Sequence, residues 1–128
     1  VLIPAALGNV INDQNVDRIK ARFIVEGANQ PVMTSADAKL KANGIVVVPD
    51  ILANSGGVMG SYFEWTQNIQ QFSWPKERFR SELDVRMSKA FVNVNETAKK
   101  YKVDLRGAAF IVSVGRVADA FSVRGSLV

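Results

Sequence analysis

Apolar residues follow two rhythms along the chain, and the rhythm changes near Ser55. Before it, short unbroken runs recur at intervals of about twenty residues: Val1, Leu2 and Ile3, then Phe23, Ile24 and Val25, then Ile45, Val46, Val47 and Val48. The polar intervals 12–21 and 34–43 read as short helices. Runs that are apolar on both faces and separated by helices predict a parallel sheet covered on both sides. Each run ends in a loop signal: Pro4-Ala5-Ala6, then Glu26-Gly27-Ala28-Asn29-Gln30-Pro31, then Pro49-Asp50.

From Ser55 the period is helical. Val58, Tyr62, Trp65, Ile69 and Phe72 step by four, three, four and three, which predicts one buried stripe. Ser73-Trp74-Pro75 breaks that helix. A second helix carries Phe79, Leu83, Met87, Ala90, Phe91, Val94, Ala98 and Tyr101 on its stripe. A third follows Asp104, with Phe110, Val114, Val117 and Phe121 as its apolar face, and stops at Arg124-Gly125. Gly107 and Gly115 inside it each cost about 1 kcal/mol relative to Ala, which predicts close packing against a neighbour. The expected fold is α/β: half of a doubly wound, Rossmann-type parallel sheet of about three strands, followed by three long helices. All 128 residues form a single partial domain, 1–54 its β/α part and 55–128 its helical part.

Composition narrows the chemistry more than the fold. With 48% hydrophobic and 22% charged residues, the chain is that of a folded protein with a real core. The net charge of +4 is spread thinly, and its densest stretch, Lys99-Lys100-Tyr101-Lys102, falls at a helix end, where the helix dipole favours cations. No nucleic-acid partner is expected. Cys and His are both absent, which removes thiolate and imidazole chemistry and the usual zinc ligands; no metal site is expected. A chain without cysteine fits a reducing compartment, and no apolar run reaches bilayer length, so the expected location is cytoplasmic, with no membrane partner. The chain opens on Val1, within an apolar run, as expected of a piece of something longer.

In open parallel sheets ligands bind at the carboxyl ends of strands, and all three loop signals fall there. Gly27 permits a close backbone approach, and Asn29 offers an amide with donors and an acceptor; a turn held by the asparagine is the local alternative. Asn54 sits at or near a helix N-cap, Gly56 and Gly57 expose backbone amides at its positive end, and either capping or ligand contact would use them. Ser61, one turn beyond Val58, is a hydroxyl where a core-facing stripe prefers a hydrophobe; it serves a ligand carboxylate or bonds back to its own helix. Of Tyr62, Phe63, Trp65, Phe72 and Trp74, four fall on or beside the buried stripe and read as core rather than as a stacking platform, and Glu64 reads as structural.

The segments LIPAALGNVI, IVEGANQP, PDILANSGGV, SYFEWTQN and RVADA resemble, in this order and across nearly the whole chain, the Glu/Leu/Phe/Val dehydrogenase family, in particular the carboxyl-terminal half of the cofactor domain of its glutamate-specific branch. Met59-Gly60 and the loop residues Gln30, Val32 and Met33 depart from the usual wording. The resemblance implies oxidative deamination of glutamate to 2-oxoglutarate and ammonia with NAD or NADP, in a homo-oligomer, typically a hexamer. It places Ala5 and Ala6 beside the cofactor ribose, Ala28, Asn29 and Asn54 near the nicotinamide, and Val58 and Ser61 in the substrate side-chain pocket, the serine meeting the distal carboxylate. It assigns no catalytic residue to this chain. The glycine-rich pyrophosphate turn, the ribose-reading acid and the family's catalytic lysines and aspartate are expected upstream of Val1. The isolated chain is therefore expected to be inactive, and a non-catalytic binding or assembly module derived from the same domain is the alternative.

Overall fold

In a computed structural model, residues 1–125 are described. Strand β1 (Phe23–Val25) and strand β2 (Val46–Val48) pair in parallel, with Ile24 opposite Val47. The expected first strand contracts to a single parallel bridge between Leu2 and Ile24, made by Leu2 N–H donating to the Phe23 carbonyl and Val25 N–H donating to the Leu2 carbonyl, each at 2.9 Å. Residues 1–3 are exposed here, so little holds them in a longer strand. All three segments run the same way, and their carboxyl ends meet on one edge.

Alternation along the strands divides the core in two. Ile24 and Val47 face Ile11, Val16, Val32, and Ala36 and Leu40 of helix α1 (Thr34–Ala42). Val48 faces the other way, towards Leu52 of the short helix α2 (Asp50–Ala53), Val94 of α4 (Lys76–Tyr101), and Ala108 and Ala109 of α5 (Leu105–Arg124). That second face is only partly covered, since Phe23 and Val46 stay exposed. The helix expected over 12–21 is only a 3-10 turn, Val16–Arg18. The side chains of Asn12 and Asn15 explain this, because they accept from the backbone N–H of Gln14 and Asn12, respectively, and so satisfy amides through turns instead of a helical ladder.

Helix α3 (Ser55–Gln70) corrects the largest expectation. Its Val58, Tyr62, Trp65, Ile69 stripe is exposed, as is Phe72 just beyond its end. The buried position is Phe63, off that stripe, packed edge-on against Phe79 at 5.5 Å and tilted against Trp74 at 5.4 Å. Of those five aromatic residues, only Phe63 is buried and Trp74 half-buried. The same holds on α5, where Phe110, Val114, Val117 and Phe121 are exposed. Helix α4 lies against both α3 and α5 and covers a different side of each.

The breaks between helices follow the sequence closely. Gln71 closes α3 in the left-handed region, Pro75 opens α4, and Lys102 closes it, again left-handed. Asp104 caps α5 by accepting from Gly107 N–H at 2.8 Å. A Cβ on Gly107 would approach Asp104 Oδ1 at 3.3 Å and Val103 at 3.4 Å, so that glycine serves the cap itself. Gly115 meets nothing within 4 Å, against the expectation of close packing there. Among the described residues no helix is long and apolar enough to cross a membrane.

Candidate functional site

The three strand ends are stitched together by polar contacts. Ala28 N–H donates to the Pro4 carbonyl at 2.8 Å, drawing the second loop onto the first. Gly27 eases that approach: a Cβ there would come within 3.1 Å of the Ala5 Cβ, tighter than most side-chain contacts, so the first loop would have to give by a few tenths of an ångström. The third tip joins through Asn54, whose Nδ2 donates to Asn29 Oδ1 at 2.6 Å and to the Gly27 carbonyl at 3.3 Å.

Asn54 occupies the N-cap position of α3, yet its side chain makes no capping bond. Its backbone is right-handed helical, its N–H donates to the Asp50 carbonyl at 3.1 Å, and Gly57 N–H in turn donates to the Asn54 carbonyl at 3.0 Å. Helical structure therefore begins at Asp50 behind Pro49, and residues 50–70 are nearly continuous. The expected open helix end at Gly56 and Gly57 is absent, because the chain has already turned helical one turn earlier. What the glycines do is steric. Gly56 lies under Met87, where a Cβ would sit 3.6 Å from its sulfur, whereas a Cβ on Gly57 meets nothing and would project into the groove.

That groove has a volume of about 600 Å³ and is bounded by Ala6, Gly27, Ala28, Asn29, Asn54, Gly57, Val58 and Ser61, together with Leu7 and Gly8. Six of the seven residues singled out in the sequence thus share one concavity. Ala5 does not line it and stands behind Gly27. Val58 is 76% exposed towards it, which accounts for its absence from the core. Ser61 Oγ donates to the Gly57 carbonyl at 3.2 Å, the back-bonded arrangement.

At the ends of β1 and β2 lies a charged cluster that the sequence did not disclose. Glu26, wholly buried at the end of β1, accepts from Arg106 Nη2 at 2.6 Å and from Asp50 N–H at 2.7 Å. Arg106 Nε lies 3.1 Å from Asp37 and Nη1 3.6 Å from Asp50. Asp50 holds the second tip as well, its Oδ2 accepting from Gln30 N–H at 2.7 Å. Burial pulls the Arg106 pKa down, but the hydrogen bond to Glu26 and the charges of Glu26, Asp37 and Asp50 outweigh it, so the guanidinium sits above its ordinary value. One signal was available: an acid at the end of an apolar strand needs a cation. A sequence separation of 80 between Glu26 and Arg106 concealed which cation it was.

The whole described chain matches one family, Glutamate/Leucine/Phenylalanine/Valine dehydrogenase, over residues 1–125. The chain belongs to that family of amino-acid dehydrogenases. It is 50% identical over 125 residues to the glutamate dehydrogenase of Thermotoga maritima, covering 98% of this chain and 30% of that protein. Its structure is similar to the glutamate dehydrogenase of Peptoniphilus asaccharolyticus, with TM-score 0.90, 37% identity, and coverage of 96% of this chain and 31% of that one. It also superimposes on a chain of the hetero-hexameric, leucine-bound glutamate dehydrogenase of Thermus thermophilus, with TM-score 0.95, 31% identity, and coverage of 99% and 30%. The chain therefore spans about 30% of the length of the relatives it matches.

Proposed function

We propose that this chain is the nicotinamide-side wall and substrate-pocket helix of a glutamate dehydrogenase, which converts L-glutamate to 2-oxoglutarate and ammonia with NAD or NADP. The observation that carries the reading is the convergence of Ala6, Asn29 and Asn54 on one groove that also holds Gly57, Val58 and Ser61.

The residues fit a nicotinamide. Asn54 Nδ2 is committed to Asn29 Oδ1, which leaves Asn54 Oδ1 as an acceptor and Asn29 Nδ2 as a donor. A carboxamide needs that complement, an acceptor for its N–H and a donor for its carbonyl. The bare Gly57 leaves room for a flat ring beside them. When bound, the nicotinamide accepts hydride from the substrate; this chain's residues position the ring and exclude water from it. Ser61 meets the distal carboxylate of glutamate by exchanging its bond to the Gly57 carbonyl for a stronger one to a charged acceptor. A hexameric assembly accords with the hetero-hexameric Thermus relative, and a cytoplasmic location goes with the same reading.

Steady-state kinetics of Asn54→Ala and Ser61→Ala in the full-length polypeptide test this. Ser61→Ala lowers kcat/KM for glutamate roughly tenfold to a hundredfold, as loss of a hydrogen bond to a charged group predicts, and leaves norvaline nearly unchanged. Asn54→Ala raises the KM for the dinucleotide. Equal losses on glutamate and norvaline would remove the role of Ser61. The isolated chain shows no turnover; glutamate-dependent reduction of a nicotinamide by it would refute the view that this is one wall of a larger site.

A further inference from the structure

We propose that Arg106 and Glu26 are positioning residues for the Asn29–Asn54 amide pair, a role that rests on reading those amides as the cofactor-facing groups. Glu26 sits at the tip of β1 and grips two other elements at once, α5 through Arg106 and the start of α2 through Asp50 N–H. Asp50 passes the restraint on in both directions. Its side chain holds Gln30 N–H, next to Asn29, and its carbonyl receives Asn54 N–H one helical turn later. Each asparagine is thus one residue or one helical turn from the same carboxylate.

The second tip needs such a clamp. Gln30 has φ of 46°, a left-handed conformation unfavourable for a side-chain-bearing residue, and it persists where surrounding bonds over-determine it. Asn9 N–H bonds its carbonyl at 2.8 Å and Asp50 bonds its N–H at 2.7 Å. Arg106 supplies what makes the arrangement of carboxylates tolerable: a planar fork that satisfies Glu26 and Asp37 in fixed directions while facing Asp50. A lysine keeps the charge but not the fork. Asp37 touches Arg106 from α1 and, among the described residues, makes no hydrogen bond to either tip, so it separates a structural role from a positioning one.

Solvent exchange of the Asn54 side-chain amide protons, followed by NMR on the ligand-free full-length polypeptide, tests the proposal. Arg106→Lys and Glu26→Gln speed that exchange at least about fivefold while the backbone amide of buried Val94 keeps its protection, because the opening is local. Asp37→Asn lowers the thermal midpoint and leaves the Asn54 exchange within about twofold. Equal behaviour of all three variants, unchanged exchange in Arg106→Lys and Glu26→Gln, or global unfolding of both, would overturn it. Titration of the full-length polypeptide with NADH and with NADPH is the separate arm. Failure to bind either, together with the exchange pattern described, sinks the cofactor reading and supports the positioning role. Binding with unchanged exchange does the reverse.

Discussion

At Gly57 the demands of folding and of the groove oppose each other. The residue lies in the first turn of α3, and a Cβ there meets no other atom within 4 Å. Alanine is preferred over glycine in helices by about 1 kcal/mol, so Gly57→Ala stabilises the fold by roughly 0.5–1 kcal/mol. The same methyl group projects between Asn54 and Ser61, into the space assigned to the nicotinamide and the substrate. Urea denaturation and dinucleotide titration of the one variant give opposite signs: a higher midpoint and weaker binding. A variant both more stable and unimpaired in binding would show that the bare backbone at 57 serves nothing in the groove. Gly27 differs in kind. Its absent side chain leaves room for Ala5 at 3.1 Å, so alanine there displaces the first two tips from each other by a few tenths of an ångström.

Among the elements, α3 shows what periodicity conveys and what it omits. A stripe stepping by four and three announces an apolar face, but the covering element must be found elsewhere in the chain. In α3 the face that α4 covers is centred on Phe63, which is 2% exposed, whereas Trp65 is 58% exposed. Phe63→Ala therefore costs about 3–5 kcal/mol, and Ile69→Ala stays within about 0.5 kcal/mol. Denaturant midpoints with unchanged slopes check both; similar losses at the two positions would restore the stripe to the core. The strands and helix ends were legible because they are local: branched runs, Pro75, the Asp104 cap, Gly125. The tips of the site were legible as strand ends, and their wording resembled a family. The 3-10 turn at Val16–Arg18 was missed because asparagine side chains compete for amides that periodicity assigns to a helix. The Glu26–Arg106 pair was missed because its members lie on different elements far apart in sequence.

For the molecule as a whole, the exposed apolar faces of α3 and α5 matter most. Val58, Tyr62, Trp65 and Ile69 on one helix, and Phe110, Val114, Val117 and Phe121 on the other, form two rows of large side chains in water. Isolated apolar residues on a surface are ordinary, but continuous rows of this length are not, and they drive association when nothing covers them. The chain alone therefore binds an environment-sensitive apolar dye and self-associates as its concentration rises. Trp65→Lys combined with Val117→Lys weakens both effects, since each charge interrupts one row. Because both residues are mostly exposed, the pair changes the unfolding free energy by only about 0.5 kcal/mol per site. Sedimentation velocity over a concentration series reads the association directly. A single monomeric species at every concentration, with no dye enhancement, would mean that the exposure of the two rows does not drive association.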